Sequence, residues 1–304
     1  MEKKLILETE NLSKHYRSCK AVDGVNIHVR EGEIYGFIGK NGAGKTTCMK
    51  IFSGLSHPTS GSVSLLGYTG EGLRKNNVYS RIGSLIETPG LYLNLSGFAN
   101  LKLLSLGIGN ITDKDIWEIL ELVDLSKDAK RKVKGYSLGM KQRLGIALAL
   151  LGKPEILILD EPINGLDPQG IAEMRTLFGK LNEQYGMTIM ISSHILEELS
   201  KVATTFGIIH KGKLLTEFTK EEFEKSNQEK LELRVDDVGN AVRVLQNLLQ
   251  VSCEAETENT VCISDYNGET GELVEALVQE GVRVSGVREK KMSLEEYYLN
   301  LTSD

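Results

Sequence analysis

Residues 39 to 46 read Gly39-Lys40-Asn41-Gly42-Ala43-Gly44-Lys45-Thr46. Glycines at this spacing let the backbone turn its N–H groups inward around phosphate oxygens without Cβ clashes. Lys45 is then placed to reach the β and γ phosphates of a nucleotide, and the Thr46 hydroxyl to ligate Mg²⁺, which prefers oxygen donors. Thr47 follows at the start of a helix whose partial positive charge adds to the attraction. A second chemical cluster is Asp160-Glu161-Pro162, at the end of the aliphatic run Ile156-Leu157-Ile158-Leu159. There Asp160 can hold Mg²⁺, and Glu161 can orient and deprotonate an attacking water. His194, after Met187 to Ser193, stands where an imidazole reaches a γ phosphate, although a lone histidine more often has a structural role. Ser137 is an N-cap candidate for a helix through Leu151, whose N-terminus makes a second anion site if the chain needs one. Tyr16, on a polar stretch His15-Tyr16-Arg17-Ser18, can stack on adenine or simply pack at a core edge.

The phosphate loop requires a strand before it and a helix after it. Ile34 to Ile38 is a short apolar run suited to a buried strand, and Thr47 to Phe52 continues at helical spacing. The unbroken aliphatic run at 156–159 predicts a strand buried on both faces, as in a parallel sheet, whose carboxyl edge is where such sheets bind ligands. Further strands are predicted at Leu5 to Glu10, Val25 to Val29, Ser62 to Leu66, Ile82 to Glu87 and Phe206 to His210. Leu91 to Leu106 and Asp113 to Val123 read as helices, which makes residues of about 88–150 an α-helical insertion. Asn164 to Pro168 reads as a turn. From Lys230 the order is strand 230–235, helix 238–249, strands 251–256 and 259–264, helix 270–280 and strand 282–288, a ferredoxin-like pattern. Residues 293–299 close it with a short helix. The predicted domains are 1–220 and an acidic α+β accessory domain, 221–304. A chain ending near Thr219 is therefore expected to fold and bind nucleotide.

The 304 residues and 40% hydrophobic content suffice for one large or two ordinary cores. The longest apolar run, Leu144 to Gly152, is far short of the roughly 20 residues of a membrane-spanning helix. The N-terminal stretch lacks a signal-peptide core, so the expectation is a cytoplasmic protein that meets a membrane only through a partner. Cys19, Cys48, Cys253 and Cys262 have no metal-ligand spacing. Cys253 and Cys262 either face each other across a hairpin or pack separately. Residues 221–304 hold 19 acidic and 8 basic side chains, net −11, so the overall −6 leaves +5 for residues 1–220. The basic part suits a polyphosphate, and the acidic tail argues against nucleic acid as a partner.

Gly39 to Thr46, Tyr136 to Gln142, Leu157 to Glu161, Asn164 to Asp167 and His194, in this order, resemble the motifs of an ABC transporter ATPase subunit. The closing Ser-Leu-Glu-Glu-Tyr-Tyr stretch is similar to that of the bacitracin-resistance and lantibiotic-immunity group. The resemblance implies a P-loop NTPase α/β cassette with a helical insertion that hydrolyses ATP with Mg²⁺. It also implies a head-to-tail homodimer in which Ser137 and Gly139 of one copy meet the loop of the other, and separate transmembrane permease subunits at the cytoplasmic membrane face. Tyr16 becomes the implied adenine-stacking residue and His194 the γ-phosphate switch. A soluble ATPase uncoupled from transport, or an exporter of an unrelated small substrate, are the alternatives. This chain departs from the family pattern in three places. Tyr136-Ser137-Leu138-Gly139-Met140 replaces Leu-Ser-Gly-Gly-Gln, Asn164-Gly165 replaces Ser-Ala, and Glu87 stands where glutamine is usual near the nucleotide and metal, as in lantibiotic-immunity ATPases.

Overall fold

The computed structural model describes residues 3–17, 19–226, 230–263, 266 and 268–303. Residue 18, at the end of the polar stretch, and residue 264, at the end of a predicted strand, lie outside them. The chain divides into two compact units, Met1–Lys220 with Tyr298–Asp304, and Glu221–Tyr297.

The first unit is built on a six-stranded sheet in the order Lys213–Thr219, Thr205–His210, Ile34–Ile38, Thr188–Ser193, Ile156–Asp160, Ile82–Leu85. Every pairing is parallel except the first, so the central strands end along one edge. The strands Ile34–Ile38, Ile156–Asp160 and Thr188–Ser193 are buried at every position. That two-sided burial is why they are largely apolar throughout instead of alternating. Ile156, Ile158 and Met190 join a core shared with Leu7, Val22 and Val29 of a second, antiparallel sheet and with Met49 and Phe52 of the helix Lys45–Phe52. That second sheet runs Cys19–Val25, Leu5–Tyr16, Ser60–Leu65, Tyr68–Thr69, with His28–Arg30 also on the strand Leu5–Tyr16. Cys48, on the same helix, is fully buried, and burial pushes its thiol pKa up to about 12, which leaves it inert at neutral pH.

Three helices make the inserted part: Gly97–Ile108, Asp113–Leu122 and Leu138–Leu150. Each begins at a capping side chain, Ser96, Thr112 and Ser137, that accepts a backbone N–H three residues on. The first starts later than the apolar spacing from Leu91 predicts, because Ser96 caps it and Leu91 to Leu95 lie before the cap. Sequence reasoning stops at a turn over Asn164 to Pro168, and the structure continues it into the helix Pro168–Tyr185. Asp167 caps that helix through Gly170 N–H at 2.9 Å, and Pro168 occupies the first helical position, where its missing N–H costs nothing. Tyr16 ends a 12-residue strand and pairs with Cys19 in a hairpin, so it is not on a free loop. Among the described residues no helix is long and apolar enough to cross a membrane.

In the second unit the strands run Cys253–Thr257, Thr260–Ile263, Lys230–Val235, Val284–Lys290 in sheet order, with the helices Val238–Asn247 and Thr270–Gln279 between them in sequence. All pairings are antiparallel, the arrangement of a split βαβ unit. Leu233, Val261, Leu245 and Leu273 are fully buried in its own core. Cys253 pairs with Ile263 and Cys262 with Glu254, so the two thiols sit on opposite faces and no disulfide joins them. The closing helix Leu294–Thr302 crosses the division, and from Tyr298 the chain belongs to the first unit and not to the accessory part.

Two cores predict two separable losses. Ile158→Ala should destabilise the first unit by about 2–5 kcal/mol and Leu233→Ala the second by a similar amount. In a calorimetric scan the two variants should shift different transitions, whereas a common shift would show one cooperative core.

Candidate functional site

The strand Ile34–Ile38 delivers Gly39, and the helix Lys45–Phe52 receives the other end of the loop. The loop between them is held from behind. Gly212 N–H donates to Ala43 O at 3.0 Å, Asp23 N–H to Gly212 O at 2.8 Å, and Ala43 N–H to Lys40 O at 3.1 Å. A Cβ at Gly39 would lie 2.5 Å from Ile209 O, and one at Gly44, where φ is +114°, 2.6 Å from Ala21 O. Only glycine fits at either place. Gly44 is also the N-cap and offers no side chain to the first-turn N–H groups of Lys45, Thr46 and Thr47. Those donors stay available to an anion. Lys45 is 5% exposed, and its Nζ donates to Gly39 O at 2.5 Å and to Lys40 O at 3.4 Å. Asn41 and Gly42 form the exposed tip.

Asp160 and Ser192 are register partners at the carboxyl ends of neighbouring strands. Ser192 Oγ donates to Asp160 Oδ1 at 2.7 Å and accepts Glu161 N–H at 2.9 Å, while Thr46 Oγ1 donates to Asp160 Oδ2 at 2.8 Å. The buried hydroxyl of Ser192 thus fixes both acids. Glu161 turns sharply out of the strand with φ +50°, a conformation rarely taken by a non-glycine residue and one found at strained functional positions. Its Oε2 lies 2.8 Å from His194 Nδ1 and its Oε1 3.1 Å from Lys45 Nζ. The Lys45 contact is an ion pair without hydrogen-bond alignment, so Oε1 is buried with no hydrogen-bond partner. A buried carboxylate oxygen with open capacity is an acceptor for a water.

Glu87, beyond the strand Ile82–Leu85 and also at positive φ, +61°, is on the same sheet edge. Its Oε1 accepts from Lys50 Nζ at 2.6 Å, and this hydrogen bond holds the Lys50 ammonium above the ordinary lysine pKa. Lys50 is one helical turn after Thr46, which places Glu87 beside the loop helix. Tyr16 is 47% exposed, with Lys14 Nζ 5.1 Å from its ring centroid. Ser137 and Gly139 stand at the start of the helix Leu138–Leu150, Ser137 exposed and engaged as its cap. No hydrogen bond or ion pair among the described residues joins either to the phosphate loop. Lys45, Thr46, Asp160, Glu161 and His194 are therefore brought together within the chain, and Ser137 and Gly139 are not. Sequence reasoning missed the bridging role of Ser192, although it lies two residues before His194, and the pairing of Lys50 with Glu87, for which helical spacing from Thr46 was the available signal.

The glycine cradle, the open N–H groups and the buried ammonium fit a nucleotide polyphosphate. The hydroxyl of Thr46 and the carboxylate of Asp160 are hard oxygen donors that fit Mg²⁺. Residues 22–164 match the family model described as ABC transporter. The bacitracin transport ATP-binding protein BcrA of Enterococcus faecalis is 41% identical over 97% of this chain and 96% of its own length. The lantibiotic transport ATP-binding protein SrtF of Streptococcus pyogenes is 46% identical over 70% of this chain and 90% of its own. A solved ATP-binding cassette, MJ0796, in a dimeric post-hydrolysis state bound to ADP and Pi, is similar with a TM-score of 0.64 at 26% identity, covering 71% of this chain and 99% of that one. Identity at this level across almost the whole sequence, on a fold and site of this kind, means that the chain belongs to the ATP-binding subunits of ABC transporters.

Proposed function

We propose that two copies of this chain associate head to tail around ATP and that hydrolysis energises a separately encoded membrane permease, which exports an antimicrobial peptide of the bacitracin or lantibiotic kind. The observation that carries the catalytic part is Glu161 held between His194 and Lys45, with one oxygen lacking a hydrogen-bond partner. Lys45 leaves Glu161 for the β and γ phosphates, because a full phosphate charge competes well for a buried ammonium. Thr46 and Asp160 hold Mg²⁺, which neutralises phosphate charge when bound. Glu161 Oε1 accepts a proton from a water whose oxygen attacks the γ phosphorus, the bond to ADP breaks, and the proton stays on the carboxylate. His194 keeps Oε2 engaged and so fixes the direction in which Oε1 points. The ring of Tyr16 stacks on adenine with the face away from Lys14, and Ser137 and Gly139 of the second copy contribute the N-terminus of their helix to the γ phosphate.

The permease is proposed to dock on the face carrying Glu87. A groove lined by Leu55, Ile86, Thr88, Pro89 and Leu148 adjoins Glu87 through its chain neighbours Ile86 and Thr88. It shares Ser84 and Leu148 with another that includes Leu104 and Ile108. Leu104 and Ile108, one turn apart on the helix Gly97–Ile108, expose 44 and 47% of their surface, apolar area of the kind that marks a partner site. This docking also accounts for a position at the cytoplasmic face of the membrane. The peptide class rests on the names of the relatives, bacitracin transport and lantibiotic transport.

Glu161→Gln should bind ATP yet lose hydrolysis and collect as an ATP-bound dimer on size exclusion, since the amide takes no proton. Near-normal turnover would remove Glu161 from the base role. Ser192→Ala should slow turnover roughly tenfold or more with little change in ATP affinity. It deletes the hydroxyl that fixes Asp160 and Glu161, and buried polar groups left unpaired cost about 1–3 kcal/mol each. Wild-type turnover would show that backbone alone sets the two acids. For the transport reading, deleting the gene should raise susceptibility to bacitracin or a lantibiotic. Glu87→Gln in the whole transporter should lower resistance while leaving the ATPase rate of the isolated subunit largely intact. Unchanged susceptibility on deletion would sink the substrate class, and equal resistance in cells carrying the wild-type and the Glu87→Gln transporter would sink the coupling role of Glu87.

A further inference from the structure

The chain leaves the nucleotide-binding unit after Lys220 and returns to it at Tyr298, inside the closing helix Leu294–Thr302. Tyr298 is 4% exposed, and its hydroxyl accepts the backbone N–H of Lys40, in the phosphate loop, at 3.3 Å. Lys40 N–H and Gly39 C=O belong to a single planar peptide unit, so they turn together. The carbonyl of that unit is the one that accepts from Lys45 Nζ at 2.5 Å. The Tyr298 hydroxyl therefore holds one side of the peptide plane whose other side parks the Lys45 ammonium. Thr302 Oγ1, one turn on, donates to Tyr298 O at 2.9 Å and adds to the end of the helix that carries the ring. The other hydrogen bonds to Lys40 among the described residues come from the loop itself, Ala43 N–H and Lys45 Nζ to Lys40 O.

We propose that Tyr298 is a positioning residue for the ATP site: its hydroxyl braces the Gly39–Lys40 peptide, keeps the carbonyl toward Lys45, and so pre-organises the phosphate loop for nucleotide. The closing helix acts on ATP affinity through this one bond. Without it the Lys40 N–H, on an exposed residue, turns to water and the peptide plane gains freedom that ATP binding has to remove. The chemical step is spared, because Glu161, His194 and Ser192 make no hydrogen bond with Tyr298.

This proposal rests on the reading that the loop binds ATP, and the experiment separates the two. In the full chain, Tyr298→Phe keeps the ring and removes only the hydroxyl. It should raise KM and Kd for ATP about two- to tenfold, the range expected for a single hydrogen bond, with kcat nearly unchanged. Wild-type affinity in Tyr298→Phe, or a fall confined to kcat, would overturn the brace. Lys45→Ala is the control for the loop itself: ATP binding at wild-type strength in that variant would overturn the site reading and the brace with it, whereas loss of binding there with full affinity in Tyr298→Phe would overturn the brace alone.

Discussion

The buried ammonium of Lys45 is the constraint on which the site depends. A cation 5% exposed is costly unless its charge is met and its protons are placed. Here the loop supplies Gly39 O and Lys40 O, and the opposite strand end supplies the Glu161 carboxylate. This arrangement ties the phosphate loop to the acid strand. In the proposed mechanism, what replaces Glu161 beside Lys45 has to be an anion at least as well placed; a nucleotide phosphate meets that condition, and its binding would leave the Glu161 carboxylate available to water.

The exchange is possible because the strands Ile34–Ile38, Ile156–Asp160 and Thr188–Ser193 end at one level. Ile38 is opposite Ser193 and Asp160 opposite Ser192, so a one-residue slip of register would turn the acids away from the loop. Burial on both faces prevents that slip, since every side chain in the three strands is committed to packing. Groups outside the central strands then finish the geometry. Gly212 supports Ala43 from the following hairpin, and Lys50 neutralises Glu87 from the loop helix. The stability of the sheet and the precision of the site are thus two consequences of the same packing.

Much of this was legible in the residues. Glycine positions before Lys45, an aliphatic run ending in Asp160 and Glu161, and a histidine after the next strand are local signals with a direct physical meaning. What was not legible depends on register or on long separations. Ser192 reads as an ordinary strand-end serine until pairing sets it opposite Asp160. The separation of 258 positions from Lys40 to Tyr298 hides their hydrogen bond from any local pattern. For the same reason the spacing of the closing helix predicts its amphipathic shape but not the unit it joins. Asp167-Pro168 was ambiguous in another way, because the same pair suits a turn and the first positions of a helix, and the tertiary packing of Met174, Leu177 and Phe178 decides for the helix.

The most direct test of the central claim is where Lys45 goes. In a crystal structure of the Glu161→Gln chain with ATP and Mg²⁺, Lys45 Nζ should have left residue 161 and should contact the β and γ phosphates, with Gly39 O still accepting from it. An ammonium still seated against residue 161, with the phosphates bound elsewhere, would contradict the account.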